Sequence, residues 1–289
     1  MDFRQYQEAS EFANSAETFL QKDEALNNLP LGILNRCLHN EKQGIITKSA
    51  PFFATITDDD NKLVLVLIMT PPFNLGVFGD SSHIQSNEAI EHAIASLKKM
   101  PLKVPGVIGT KHLAGTFAEK WCSNDKIIYE TAMEQCIFKL TKVNDVPQSP
   151  GFIRLATMED HELLSKWGHE FSFVTETPFT IAEAKEKTKE FIHQESLYVW
   201  TDGEPVSMAR KARGTSNGMS VNYVYTPKEY ENRGYATSCV SELSRMLLKE
   251  GYEFCTLYTD LSNPTSNSIY KRIGYRPIGD SIVYQFKSI

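Results

Sequence analysis

One stretch, Val221 to Gly251, constrains the fold of this chain more than any other. It reads Val-Asn-Tyr-Val-Tyr-Thr-Pro, then Lys-Glu-Tyr-Glu-Asn-Arg-Gly-Tyr-Ala, then Thr-Ser-Cys-Val-Ser-Glu-Leu-Ser-Arg-Met-Leu-Leu-Lys-Glu-Gly. The first part is β-branched and aromatic, which suits a strand. Pro227 and the polar residues after it end that strand. From Ala236 the apolar positions Ala236, Val240, Leu243, Leu247 and Leu248 recur at helical spacing, and Gly251 stands where a helix stop is expected. A strand therefore runs through a loop carrying Arg233 and Gly234 into a helix.

The first turn of a helix has backbone N–H groups without internal partners, and its dipole makes that end electropositive. A pyrophosphate fits there. Gly234 removes a side chain where a phosphate must approach the backbone, Ala236 keeps the next position small, and Arg233 adds charge. An ordinary strand-loop-helix, with a glycine for turn geometry, would read the same way from these residues alone.

At 289 residues the chain suits two domains, and 41% hydrophobic with 23% charged residues is the composition of globular protein. The net charge is −6, with acidic and basic residues mixed throughout, which gives no footprint for nucleic acid or an anionic membrane. Cys37, Cys122, Cys136, Cys239 and Cys255 are widely spaced, form no C-x-x-C pair, and read as free thiols. Met1 to Gln5 lacks a signal-peptide pattern, and the longest apolar run, Leu63 to Met69, is far short of a membrane span. A cytoplasmic location is expected.

Along the chain, residues 2–28 read as one or two helices and Leu31–His39 as another. Phe52–Thr57, Lys62–Thr70 and Leu75–Phe78 read as strands, Glu88–Met100 as a helix and Val104–Ile108 as a strand. A helix at Lys111–Cys122 and a strand at Glu134–Leu140 follow. Residues 141–151 have linker composition, so the domains are expected at 1–141 and 152–289, with 142–151 between. The second half begins with strand Phe152–Leu155, then helices Thr157–Gly168 and Thr180–Gln194, with Thr157 and Asp160 as a capping pair. Strands Leu197–Trp200, Glu204–Ala212 and Met219–Tyr225 lead into the organising loop and helix. Strand Phe254–Thr259 precedes a helix opened by Asn263-Pro264 and closed near Gly274. Tyr275–Ile278 and Ile282–Phe286 end the sheet. The two halves share a coarse order of elements, which raises a duplication without residue-level repeats.

Several motifs do not carry through. Gly214-Thr215-Ser216-Asn217-Gly218 matches G-x-S-x-G, but that elbow needs a following helix, whereas Asn217-Gly218 signals a hairpin. Asp58-Asp59-Asp60-Asn61 lacks the glycine and terminal Glu of a calcium loop. His161-Glu162 and His169-Glu170 lack the second histidine of a zinc motif. No metal is expected, and there is no dinucleotide or Walker fingerprint.

Three linked pieces of the second half resemble the GNAT superfamily of acyl-CoA-dependent N-acetyltransferases over about residues 152–286. They are Val224-Tyr225-Thr226-Pro227 with Glu231-Asn232-Arg233-Gly234-Tyr235-Ala236; Leu257-Tyr258-Thr259-Asp260 leading to Asn263-Pro264; and Asn267 to Tyr275, with Tyr270 and Gly274-Tyr275 in a Y-x-x-x-G-F/Y ending. Glu231 departs from the family pattern Q/R-x-x-G-x-G/A at its first position and sets a carboxylate near the expected anion. The resemblance implies an α/β (α+β) fold of two mixed-sheet GNAT-like domains in tandem, with helices on both faces of each sheet. It also implies acetyl-CoA between two diverging strands. Tyr223, Val224 and Tyr225 would face the pantetheine and the thioester. Glu231, Asn232, Arg233, Gly234, Tyr235, Ala236 and Thr237 would form the pyrophosphate loop. Asn263, Ser266 and Asn267 would bind from the next helix, and Tyr270 would touch the cofactor and protonate the leaving thiolate.

The implied activity is direct acetyl transfer from acetyl-CoA to a primary amine of a small molecule or peptide, by a monomer or homodimer. Glu170, Glu176 and His169 are weak candidates for the base. An idle acyl-CoA-binding sensor is the rival reading. The first half would be a degenerate copy. Its matching segment offers Gly79-Asp80-Ser81-Ser82 with no Arg-Gly-x-Ala loop, so it is expected not to bind CoA.

Overall fold

The computed structural model describes residues 1–47, 49–80, 83–123, 126–174 and 178–288. It forms two compact units, Met1–Cys136 with Gly279–Ile289, and Ile137–Ile278. The first contains β1 (Asp2–Tyr6), α1 (Ala9–Gln21), α2 (Asn28–Lys42), β2 (Phe52–Thr57), β3 (Leu63–Met69), β4 (Leu75–Gly79), α3 (Ser86–Leu97), β5 (Gly106–Gly109), α4 (Lys111–Cys122) and most of β6 (Ile127–Leu140). The second contains β7 (Phe152–Leu155), α5 (His161–Ser172), α6 (Ile181–His193), β8 (Leu197–Asp202), β9 (Glu204–Ala212), β10 (Gly218–Tyr225), α7 (Tyr235–Lys249), β11 (Phe254–Asp260), α8 (Pro264–Ile273) and the start of β12 (Arg276–Ser288). Taken in chain order, β1 to β6 and β7 to β12 repeat one sequence of elements: strand, two helices, three strands, helix, strand, helix, strand.

In the first unit the strand order is β1-β2-β3-β4-β5-β12-β6. Alternation along β2 sends Phe52, Ala54 and Ile56 to the face covered by α3 and α4, and Phe53 to the face covered by α1 and α2. β12 pairs antiparallel with β5, from Ile282↔Gly109 to Gln285↔Gly106, and Asp280 Oδ1 accepts the Lys111 N–H at 3.0 Å. In the second unit the order is β6-β11-β10-β9-β8-β7. There α5 and α6 bury Leu164, Trp167 and Ile192 against Leu197, Val199 and Met208. The amphipathic α7 buries Cys239, Val240, Leu243 and Leu247.

Three features differ from the reading of the sequence. β1 is a strand where helix was expected; it is a polar edge strand, paired from Asp2↔Thr57 to Tyr6↔Phe53, and buries little except Tyr6. β12 is continuous through Gly279-Asp280, and its residues from Gly279 join the first unit, whereas the expected second domain ran to 289. The linker-like stretch lies within the second unit. The Asn144 N–H donates to the Ile273 carbonyl at 2.8 Å, and the Ser149 N–H donates to Ser238 Oγ at 2.8 Å. The Thr157–Asp160 cap forms as expected. Asp160 accepts the Thr157 N–H at 2.8 Å and is gripped by both terminal nitrogens of Arg154 at 2.7 and 2.8 Å.

Candidate active site

The site begins where β10 stops behaving as a strand. β10 pairs in parallel with β11 at Gly218↔Phe254, Met219↔Cys255 and Ser220↔Thr256. On its other side, pairing with β9 is regular to Asn222↔Arg210 and resumes at Tyr225↔Met208 after a register shift. Tyr223 lies inside that shift with φ +55°, a left-handed backbone rare for a bulky residue. A bulge of this kind frees backbone groups from the ladder and re-aims them. The chain therefore delivers unladdered backbone groups between Asn222 and Tyr225, at the end of β10.

From there the loop is fastened at several points. Thr226 Oγ1 donates to Ser207 Oγ at 2.9 Å, and Ser207 Oγ donates to the Tyr225 carbonyl at 3.2 Å. The Tyr230 hydroxyl donates to Glu204 at 2.7 Å, the Tyr235 hydroxyl to Asp202 at 2.6 Å, and Ser149 Oγ to the Arg233 carbonyl at 2.7 Å. Between these anchors Glu231, Asn232, Arg233 and Gly234 are exposed. Asn232 has φ +60° and Gly234 φ +81°, and Gly234 is the residue that opens α7. The first-turn N–H groups of Tyr235, Ala236 and Thr237 have no intrahelical acceptor. This is an exposed, electropositive helix start reached through a glycine, fit for a pyrophosphate.

α8 supplies the other wall. Asn263 caps it by accepting the Ser266 N–H at 3.0 Å. Asn267 is committed to structure. It accepts from Thr259 Oγ1 at 2.6 Å and donates to the carbonyls of Asp260 at 3.1 Å and Asn263 at 2.8 Å. Tyr270 is 9% exposed, with its ring edge-on to Tyr275 at 6.0 Å. Burial, and next the neighbouring Cys239 of α7, push its phenol far above the usual tyrosine range, so it carries its proton at neutral pH. Cys239 itself, pushed up to about 12 by burial, lies beside Ser207, whose hydroxyl bonds the Tyr225 carbonyl.

On the α5 side, the Tyr225 hydroxyl donates to Glu170 Oε2 at 2.5 Å. Burial, then that bond, then the carboxylates of Glu170, Glu229 and Glu231 raise the Tyr225 phenol. His169 Nδ1 donates to the Phe179 carbonyl at 2.7 Å. Glu176 lies outside the described residues, as do Ser81 and Ser82. Among the described residues no group of three His, Cys, Asp or Glu side chains is placed to hold a metal ion. Among the described residues no helix is long and apolar enough to cross a membrane either.

Two features of this region went unread in the sequence. Gly168 of α5 faces Tyr223 so closely that a Cβ there would overlap the Tyr223 hydroxyl. Arg213, at the end of β9 with φ +49°, lies over the Tyr258 ring at 5.1 Å. Its Nε is buried without a hydrogen-bond partner, and burial lowers the guanidinium. Neither residue belongs to a sequence motif; both emerge only from packing.

Comparison with known proteins agrees with this geometry. Residues 202–283 match the family described as FR47-like protein. No curated protein matches the chain. Among solved structures, a Drosophila protein overlays with a TM-score of 0.71 at 14% identity, covering 98% of each chain. A GNAT-family acetyltransferase from Colwellia psychrerythraea overlays at 0.61 with 10% identity over 100% of both chains. A tandem GNAT protein of the clavulanic acid biosynthesis pathway overlays at 0.59 with 10% identity, covering 99% of this chain and 98% of that one. The whole chain thus has the tandem GNAT fold, and its segment 202–283 carries the FR47-like pattern.

Proposed function

We propose that this chain is an acetyl-CoA-dependent N-acetyltransferase acting on a primary amine of a small molecule or peptide. One observation carries the reading. β10 breaks register between Asn222 and Tyr225 and then feeds, through an exposed loop with φ +60° at Asn232 and φ +81° at Gly234, into the start of α7. Arg233 to Thr237 would hold the pyrophosphate. A backbone N–H from the stretch Tyr223 to Tyr225, where the ladder is interrupted at Tyr223 and Val224, would stabilise the oxyanion as the amine attacks. Tyr270, protonated at neutral pH, would supply the leaving thiolate with its proton. Asn263 would bond the pantetheine region from its capping position. Glu170, Glu229 and Glu231, gathered around Tyr225, favour a cationic acceptor, and Glu170 is the group on that side best fixed to take its proton. The five cysteines, none of them in a disulfide, fit a reducing compartment. We assign CoA binding to the second unit alone.

The test is isothermal titration of acetyl-CoA, beside thiol release with a panel of amines. One site per chain together with turnover supports the enzyme. Tight binding without turnover for any amine turns the reading into that of an acyl-CoA sensor. An absence of binding leaves the fold without the activity.

A further inference from the structure

We propose that Tyr223 is a positioning residue, wedged by Gly168 and the Phe171 and Phe191 rings, that holds the β10 bulge in the form able to receive the acetyl group. This inference rests on the acetyl-CoA reading. The observations behind it are the backbone, the ring and the hydroxyl of one residue. Tyr223 has φ +55°, a state that a bulky residue keeps only when its surroundings over-determine it. Its side chain is 7% exposed and lies edge-on to Phe171 at 4.9 Å and to Phe191 at 5.4 Å. Its hydroxyl reaches into α5 at Gly168, where any Cβ would collide with it. That hydroxyl and the neighbouring Thr188 Oγ1 are both buried without a geometrically formed hydrogen bond, and burial pushes the phenol up to about 12.

The ring is therefore a strut running from α5 and α6 to the one irregular step of the strand. A tyrosine at ordinary strand geometry would fall back into the ladder, and the backbone of Tyr223 and Val224 would pair with β9. The glycine at 168 is the socket, since only a residue without Cβ admits the hydroxyl. Recognition of the acetyl group and recognition of the nucleotide then belong to different parts: the strut governs the first, and the start of α7 governs the second.

The test measures the affinities for acetyl-CoA and for free CoA by titration in four proteins: wild type, Gly168→Ala, Tyr223→Phe and the double variant. In wild type acetyl-CoA is expected to bind at least fivefold tighter than CoA. Gly168→Ala, which drives the strut out of its socket, is expected to abolish that preference while leaving CoA affinity within twofold. Tyr223→Phe keeps the ring and is expected to keep the preference. In the double variant the hydroxyl that overlaps the added Cβ is gone and Cζ remains at 3.0 Å, a tight contact that a small shift of the ring relieves, so the preference is expected to return. Turnover, where an acceptor is found, should follow the preference through kcat with the KM for acetyl-CoA little changed. A Gly168→Ala protein that keeps its acetyl preference, or a double variant that stays as impaired as the single, overturns the proposal while the enzyme reading stands. Absence of CoA binding in wild type overturns both.

Discussion

The starts of α7 and α3 occupy the same place in the two repeats and have opposite chemistry. Each helix follows a strand that pairs in parallel, over three positions, with the strand after the helix: β10 with β11, and β4 with β5. Before α7 the backbone twists into the left-handed region twice, the loop is exposed, and Arg233 stands next to the helix start with Glu231 two residues before it. Before α3 three backbone N–H groups are already bonded within the turn. The His83 N–H donates to the Asp80 carbonyl at 3.1 Å, the Ser86 N–H to the His83 carbonyl at 3.0 Å, and the Gln85 N–H to His83 Nδ1 at 3.2 Å. Asp80 there would repel a phosphate. β4 also keeps unbroken register with β3 from Leu65↔Gly79 to Ile68↔Gly76, whereas β10 breaks at Tyr223. A shared topology thus offers the same place in both repeats, and the two loops furnish it with different chemistry.

The sharpest way to break this contrast is Gly234→Glu. It puts a side chain on a residue at φ +81° and a carboxylate at the helix start. CoA affinity is expected to fall at least a hundredfold, while Asp80→Arg in the other repeat should leave the stoichiometry at one per chain; titration reads both. A second site created by Asp80→Arg would show that the first repeat is blocked by charge alone. Tyr270→Phe comes next. If Tyr270 is the acid, kcat should fall by about two orders of magnitude with the KM for acetyl-CoA within twofold. Unchanged kcat removes it from the mechanism.

A stability comparison follows. Asp160→Ala removes a capping carboxylate with four hydrogen-bond contacts, and should cost roughly 2 kcal/mol by chemical denaturation at neutral pH. Burial opposes the Asp160 charge, but Arg154 and the Thr157 N–H outweigh it and hold its pKa below the ordinary value. Its contribution is thus full above the unfolded carboxylate value of about 4 and is lost as pH falls through the lower folded value. The wild type and Asp160→Ala curves should converge in acid; a constant gap would assign the effect to packing. Arg213→Met should leave stability nearly equal, because the lost stack on Tyr258 is offset by removing a guanidinium whose Nε is buried without a partner. A lower Tm in that variant would show that the stack on Tyr258 is structural. The smallest change is expected from Glu231→Gln, which removes the carboxylate beside the proposed phosphate site. CoA affinity should rise a few-fold, and less at high salt.

Much of the second unit was legible because local chemistry and topology agree there. Pro227, Gly234, Asn263-Pro264 and Gly274 punctuate the chain where the structure turns, and α7 has an unmistakable apolar face. β1 was not legible, because Asp2–Tyr6 hides a strand behind polar residues and is defined only by its pairing with β2. The bulge at Tyr223 was equally hidden. Nothing in Val-Asn-Tyr-Val-Tyr announces a positive φ, which follows from Gly168, 55 residues earlier, meeting that ring. Asn267 appeared as a ligand-binding residue by motif, while its amide in fact joins β11 to α8. The loop proposed to hold a phosphate is legible in the chain and the bulge of β10 is not, since one depends on adjacent residues and the other on distant ones.

The path of β12 has a consequence for biosynthesis. Ile282 and Val283 are buried, Ile282 within the core of the first unit, and their strand lies beside β5. On the ribosome, the first 136 residues emerge with that edge of β5 still unpaired, and they stay so until the rest of the chain has been made. A nascent sheet edge left open that long invites pairing with other chains. Translation that stops early would release a first unit with its sheet unclosed, which a chaperone would have to shield and a protease could find.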